Sequence, residues 1–447
     1  MLPSLQHQDD ADAWLRRHGD SGALFMEPGL GKSRVAIRVA RRARRTLIVA
    51  PPNPAEYVWP EQHRLWGSDM SFALARGTPK ERERILFDQR PDIAVLNSTL
   101  LHWFYDQVAK RRRLPYDLLV VDESTIAKNP DSIAFRVMKA LRPAFDACIP
   151  MTGTPAENSL HDVWGQLYFV DQGKALGKRI GVFRERYCSA VLRENYVTWK
   201  VTRAEELRQA AAPLCFVRRT VDCIDMPELI FRDIHFDLAP RERRFYESVR
   251  TDHIVDAGRE PFPLENAGVV LDKLRQITSG FVYDEERTPH VVGNSKALAL
   301  LDCVEEAMGR PMLIGFWYQG SKHRIREVLG RDVPAIDRFT SKQEKGILLD
   351  MWKDGELPLL LGQVQTVAYG LNMQSPEASV LFYDLPWSHG LHWQFIRRVW
   401  RQGQMTHVMV RRLIARATAD VYVSYVLRRK QRDEDELLTT ILDEELI

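Results

Sequence analysis

The stretch ALFMEPGLGKSRVAI, residues 23–37, decides the fold. Four apolar residues, a turn with two glycines, and a Lys-Ser pair opening a segment of helically spaced apolar residues read as a buried strand, a tight loop and a helix. Successive backbone N–H groups of such a loop point at one spot, and the helix dipole favours negative charge there. The turn is therefore suited to a phosphate. Gly29 and Gly31 shape the loop, Lys32 would reach the outer phosphates and Ser33 would offer its hydroxyl to Mg²⁺. The strict phosphate-loop pattern places a glycine at position 26, where this chain has Met.

A loop of this kind needs a carboxylate at the end of a second apolar strand, and LLVVDEST at 118–125 supplies it. Asp122 would hold Mg²⁺ through water and Glu123 would polarise an attacking water. Taken alone, an acidic pair after an apolar run also reads as a helix start.

Working outward, short apolar runs recur at 23–26, 46–51, 71–75, 92–97, 116–123 and 147–152, with helical or polar stretches between them. Continuous apolar strands alternating with helices predict a parallel sheet covered on both faces. From 161 to about 290 the rhythm gives way to amphipathic helical spacing in HDVWGQLYFV, AEELRQAAAPL and RERRFYESVR, with a strand-like PELIFRDIHFDL in the middle. It then returns in PMLIGFW, VPAIDRF, LPLLLGQ, ASVLFYDL and HVMVRRLIA, and the tail from 428 reads as a charged amphipathic helix. The expectation is an α/β protein with a nucleotide-binding lobe over 1–222, a connector over 223–290 and a second parallel lobe over 291–447. The length of 447 residues suits two domains of roughly 200 residues each.

The net charge of +3 announces no whole-molecule field for a polyanion, although arginines crowd at 38–45 and 111–113, either as local binding surface or as a solvated face. Five cysteines without paired short spacing argue against a zinc site or a disulfide scaffold and fit a reducing interior. No apolar run approaches the roughly 20 residues of a membrane span, and no basic-then-apolar leader opens the chain. A soluble intracellular protein is expected.

Further segments keep one order along the chain. They are LQHQDDADAWL (5–15, with Gln8), LIVAPPNPAEYVWPEQHRLW (47–66, with Pro51 and Trp59), IAKNP (126–130) and MTGTPAENSLHDVWGQL (151–167). CFVRRTVDCIDMPE (215–228), LPLLLGQVQTVAYGLNMQ (357–374) and WQFIRRVWRQGQ (393–404) follow. With them the chain resembles the Swi/Snf-type ATPases of helicase superfamily 2, nearly end to end. The resemblance implies two tandem RecA-like lobes, each a parallel sheet with helices on both faces. It assigns ATP contacts to Gln8, Gly29, Gly31, Lys32, Ser33, Gly370 and Gln394, and Mg²⁺ to Ser33 and Asp122. Thr152, Gly153 and Thr154 would sense the γ-phosphate, although a capped helix start would read similarly. Arg398 and Arg401, about one helical turn apart, look like arginine fingers that could face one partner, the alternative being an exposed basic helix. Val367 and Ala368 stand where many members carry two glycines.

The implied activity is a DNA-stimulated ATPase that moves on or remodels DNA, gripping it through loops near Pro51, Asn97, Gln363 and Asn372 at the carboxyl ends of strands. The form of DNA stays open, as does a protein loading partner, and a monomer is the default. An RNA-directed helicase, or an ATP-switched nucleic-acid clamp that does not translocate, are the alternative readings.

Overall fold

The computed structural model describes residues 5–156, 159–192, 197–255, 262–263, 267–368, 371, 373–401, 404 and 406–445. The chain divides into two compact units, residues 1–225 with 430–447, and residues 226–429.

The first unit is built on β1 (Ala23–Met26), β2 (Thr46–Ala50), β3 (Phe72–Leu74), β4 (Ile93–Asn97), β5 (Leu118–Asp122) and β6 (Ala147–Thr152). Beyond them lie an antiparallel hairpin of β7 (Cys188–Leu192) and β8 (Val197–Val201), and then β9 (Cys215–Arg218). Seven strands form one parallel sheet in the order β3-β4-β2-β5-β6-β1-β9. The alternation along each strand divides the core in two. Leu47 and Val49 of β2 enter one apolar cluster with Leu119, Val121 and Cys148, while Ile48 and Ala50 enter the other with Val120, Ile149 and Met151. Both faces are thus dry, which is why these strands read as unbroken apolar runs.

The second unit begins with β10 (Leu229–Phe236), followed by the short pair β11 (Ile254–Val255) and β12 (Phe262–Pro263) and the hairpin β13 (Phe281–Tyr283) and β14 (Pro289–Val291). Then come β15 (Met312–Phe316), β16 (Ala335–Ile336), β17 (Leu359–Gln363), β18 (Ser379–Phe382) and β19 (Val408–Ala415). Its parallel sheet runs β10-β19-β18-β15-β17-β16, again with a separate apolar cluster on each face. Two parallel sheets with helices on both faces are the tandem RecA-like architecture that the sequence led us to expect.

The region from 161 to 290 departs from its helical reading. The helices Val163–Asp171 and Ala204–Ala211 form, and the strand read in PELIFRDIHFDL is Leu229–Phe236, an eight-residue edge strand of the second sheet, but Cys215–Arg218 becomes an edge strand of the first. A four-residue strand is too short for periodicity to declare.

One half-buried histidine ties the helical region together. Arg184 Nε donates to His161 Nε2 at 3.3 Å, and Phe183 lies edge-on at 5.5 Å. Burial, with the Arg184 charge adding to it, pushes the His161 pKa down to about 4 from an ordinary 6.5. The unfolded chain takes up this proton near 6.5 and the folded chain does so only near 4, so stability falls as pH drops through that window. His161→Gln is expected to flatten this part of the acid limb, measured as melting temperature against pH for both proteins. Identical slopes would remove His161 as a cause.

Candidate functional site

The carboxyl ends of β1, β5 and β6, with β6 between the other two in the sheet, carry the first cluster. After β1 the chain turns through Gly29 (φ 95°) and Gly31 (φ 83°) into helix α2 (Lys32–Ala40), where Gly31 is the residue before the first turn. Both angles lie in the left-handed region, where a Cβ is strained. Lys32 Nζ donates to the Met26 carbonyl at 2.7 Å and lies 3.5 Å from the Glu27 carbonyl. These are main-chain oxygens, so the Met at position 26 does not disturb the lysine's seat.

Gln8 comes from helix α1 (Gln6–Arg17) and is buried against this loop. Its Nε2 donates to Leu30 O at 3.3 Å, and its Oε1 accepts from Arg34 Nη1 at 3.2 Å. His7 Nε2 also reaches Leu30 O, at 3.0 Å. A Cβ on Gly31 would stand 2.4 Å from Gln8 Nε2. Gly31→Ala is therefore expected to cost about 1–2 kcal/mol from the backbone alone, and to weaken nucleotide binding because the loop must move off Gln8. Denaturant unfolding and nucleotide titration check both parts.

Asp122 ends β5, and Trp59 Nε1 donates to its Oδ2 at 2.9 Å. The protein packed around this carboxyl pushes its pKa up, opposed by the Trp59 hydrogen bond and the Lys32 charge. Trp59 is fully buried, and a buried indole N–H needs an acceptor. The sequence marked Trp59 as part of a motif without this role as the positioner of Asp122, and its apolar surroundings were the available signal.

Glu123 sits at φ 51°, a left-handed backbone uncommon for a residue with a side chain and found disproportionately at functional sites. Thr152 Oγ1, at the end of β6, donates to Glu123 Oε2 at 3.3 Å and accepts from Thr154 N at 3.2 Å. Gly153 presses on the phosphate loop, since a Cβ there would lie 2.6 Å from Pro28 Cδ. The threonine-glycine segment thus touches the acidic pair on one side and the glycine loop on the other. Ser124 Oγ donates to Gln166 Oε1 at 2.7 Å, and Gln166 Nε2 donates to Pro155 O at 2.6 Å, anchoring the base of both segments.

No group of three His, Cys, Asp or Glu side chains able to hold a metal occurs among the described residues. One hydroxyl and one carboxylate, Ser33 and Asp122, nevertheless suit Mg²⁺, which keeps several waters and takes its other oxygens from phosphates. A cation would also offset the burial that raises the Asp122 pKa.

Of the DNA candidates in this unit, Asn97 and Pro51 lie side by side. Asn97 pairs in register with Ala50, which precedes Pro51, and its Oδ1 accepts from Thr99 N at 3.0 Å.

In the second unit, Gln363 ends β17 and its Oε1 accepts from Arg338 N at 3.1 Å and from Thr366 Oγ1 at 3.2 Å. Gln394 is buried in the helix His389–Val399. That helix stops at Val399, and Trp400 has ψ 93°. Arg401 therefore lies beyond the helix, and the expectation that Arg398 and Arg401 share one helical face does not hold. Trp400 Nε1 donates to Pro227 O at 2.8 Å, which turns the chain out of the helix. Arg398 Nη1 donates to Leu371 O at 3.4 Å, and Arg398 O accepts from Met373 N at 3.1 Å, tying the arginine to the segment after β17. Arg397, which the sequence did not single out, is buried with its guanidinium 4.9 Å from the Trp393 ring and 4.2 Å from the Trp400 ring. Gly370 and Asn372 lie outside the described residues.

Residues 7–278, more than half of the chain, match the SNF2-related domain. The chain belongs to the SNF2-related family. A phage protein designated p41, from Acyrthosiphon pisum secondary endosymbiont phage 1, is 26% identical over 418 residues, 88% of this chain and 87% of its own. An uncharacterised ATP-dependent helicase of Mycoplasma genitalium is 23% identical over 95% of this chain and 41% of its own. The SWI/SNF-related matrix-associated actin-dependent regulator of chromatin subfamily A-like protein 1 of Xenopus tropicalis is 21% identical over 91% of this chain and 42% of its own. The SNF2-related chain thus spans most of the phage protein but under half of the other two. Among solved structures, the Sulfolobus solfataricus SWI2/SNF2 ATPase core in complex with dsDNA is 20% identical, with a TM-score of 0.46, over 100% of this chain and 95% of that one.

Within this SNF2-related chain, the first unit brings Gln8, Gly31, Lys32, Asp122, Glu123, Thr152 and Gly153 into one neighbourhood through direct contacts or the Lys32–Asp122 electrostatic interaction. Among the described residues, no helix is long and apolar enough to cross a membrane.

Proposed function

We propose that the chain is an ATP-driven DNA translocase of the SNF2-related family. The observation that carries the reading is the seating of Lys32, Asp122, Glu123 and Thr152 at three neighbouring strand ends beside a left-handed glycine loop. Parallel sheets bind ligands at that edge. Lys32 leaves its seat on the Met26 carbonyl to meet the outer phosphates of ATP, and the loop amides hold the inner ones. Glu123 orients a water and accepts its proton. Ser33 and Asp122 would hold Mg²⁺, which supplies charge for the phosphates. Thr152 and Gly153 touch both the base and the loop, so a change at the γ-phosphate reaches them directly. Arg398 and Arg401 act on the charge that develops during transfer.

DNA is proposed as the track, gripped by strand-end loops including Pro51, Asn97 and Gln363 through sequence-tolerant backbone contacts. The similarity to a regulator of chromatin favours this track. The test is steady-state ATP hydrolysis at low salt, alone and with single-stranded, duplex or forked DNA or RNA, with Lys32→Ala to subtract contaminants. Stimulation by one DNA form and loss in Lys32→Ala are expected. Preference for RNA at equal nucleotide concentration would reassign the track, and hydrolysis indifferent to every polymer would remove the motor reading.

A further inference from the structure

A cavity of ≈ 860 Å³ in the second unit is walled in part by Trp317 and Tyr318 just after β15, by Gln363 at the end of β17, and by Phe339. At its rim the turn 337–340 (DRFT) is held by its own hydrogen bonds. Asp337 N donates to Thr340 Oγ1 at 2.9 Å, and Phe339 N to Asp337 Oδ1 at 2.8 Å. From outside the turn, Lys322 Nζ donates to Asp337 Oδ2 at 2.7 Å, and Gln363 Oε1 accepts from Arg338 N at 3.1 Å. Asp337 is buried, while the two side chains at the tip stand in solvent. Phe339 is 68% exposed, with the Arg338 guanidinium 4.6 Å from its ring centre.

A large apolar ring displayed by a fixed turn forgoes burial, and a rigid aromatic loses little entropy on binding. An arginine beside it adds a planar cation that can stack or bind phosphate. The cavity behind them is lined by the carboxylates of Asp272, Asp284 and Glu285 and also by the cations of Lys273, Arg287 and Lys322. With both signs of charge in its walls, the cavity offers a neutral, planar base hydrogen-bond donors and acceptors together.

We propose that Phe339 and this cavity receive an unstacked nucleobase from a single strand, the base stacking on the Phe339 ring while Arg338 meets the adjoining phosphate. The inference rests on the nucleic-acid reading above and adds a base contact to a grip otherwise made through the backbone. Gln363, whose Oε1 accepts from Arg338 N, also acts as a positioning residue for the turn.

The test is equilibrium binding, without nucleotide, to a 20-residue thymidine strand and to an abasic deoxyribose-phosphate strand of equal length. Phe339→Ala, expected to keep the wild-type melting temperature because the ring is exposed, should weaken thymidine-strand binding about tenfold and leave abasic-strand binding unchanged. Phe339→Trp should restore it. Equal loss on both strands would mean a backbone contact and overturn the proposal. No loss on either, with wild-type binding intact, would overturn it and leave the proposed function standing. Failure of the wild type to bind either strand would remove the nucleic-acid reading and this inference together.

Discussion

Glu123→Gln is expected to lower ATP hydrolysis about 10³-fold while nucleotide affinity stays within a few-fold. The substitution keeps size and an acceptor oxygen, so Thr152 Oγ1 can still donate at a distance near its present 3.3 Å. The left-handed backbone at φ 51° is imposed by the chain and not by the charge. What the amide lacks is basicity, so water held beside it keeps its proton. Single-turnover hydrolysis measured beside titration with a fluorescent ATP analogue separates the two effects. Hydrolysis within tenfold of wild type would take the general-base role from Glu123. Loss of binding and hydrolysis together would instead mark it as structural.

The parts of this site that were legible in the sequence are those made by main chain and local order. A glycine loop between an apolar strand and a helix can be read because glycine alone adopts φ near 90° without strain, and the acidic pair announces itself at a strand end. Contacts between distant segments are another matter. Nothing local to Trp59 says that its indole will meet Asp122, and nothing in Gly153 says that Pro28 will leave no room for a Cβ. Each depends on which strands become neighbours, and β6 lies between β5 and β1 although β1 comes first in the chain. One edge strand was missed for a different reason. Cys215–Arg218 has four residues, too few for alternation to show, whereas the eight residues of Leu229–Phe236 were long enough to read as a strand. The helical arginine spacing misled because periodicity says nothing about where a helix stops. Trp400 ends it by donating to Pro227 O, more than a hundred residues away in sequence.

That early stop sharpens what should follow from removing Arg398. Arg398→Ala is expected to lower ATP turnover about 10³-fold, with nucleotide binding to the first unit nearly unchanged. Its neighbour supplies the contrast. Arg397 is buried between Trp393 and Trp400, so Arg397→Ala removes packing from the core of the second unit and should act through stability. Arg398 is only half-buried, and its bond from Met373 N is accepted by a main-chain carbonyl that survives truncation. The lost side-chain bond to Leu371 O is long, at 3.4 Å, so a large loss of folding stability is not expected. Arg398→Lys tests the chemistry further, because it keeps the charge and loses the planar fork; as a finger residue it should remain strongly impaired. Melting temperatures, ATP-analogue titrations and turnover on the three variants give distinct patterns. Arg397→Ala should melt early, whereas Arg398→Ala and Arg398→Lys should melt normally, bind nucleotide and turn over slowly. Normal turnover in Arg398→Ala would remove the finger assignment and pass it to Arg401, which lies beyond the helix end.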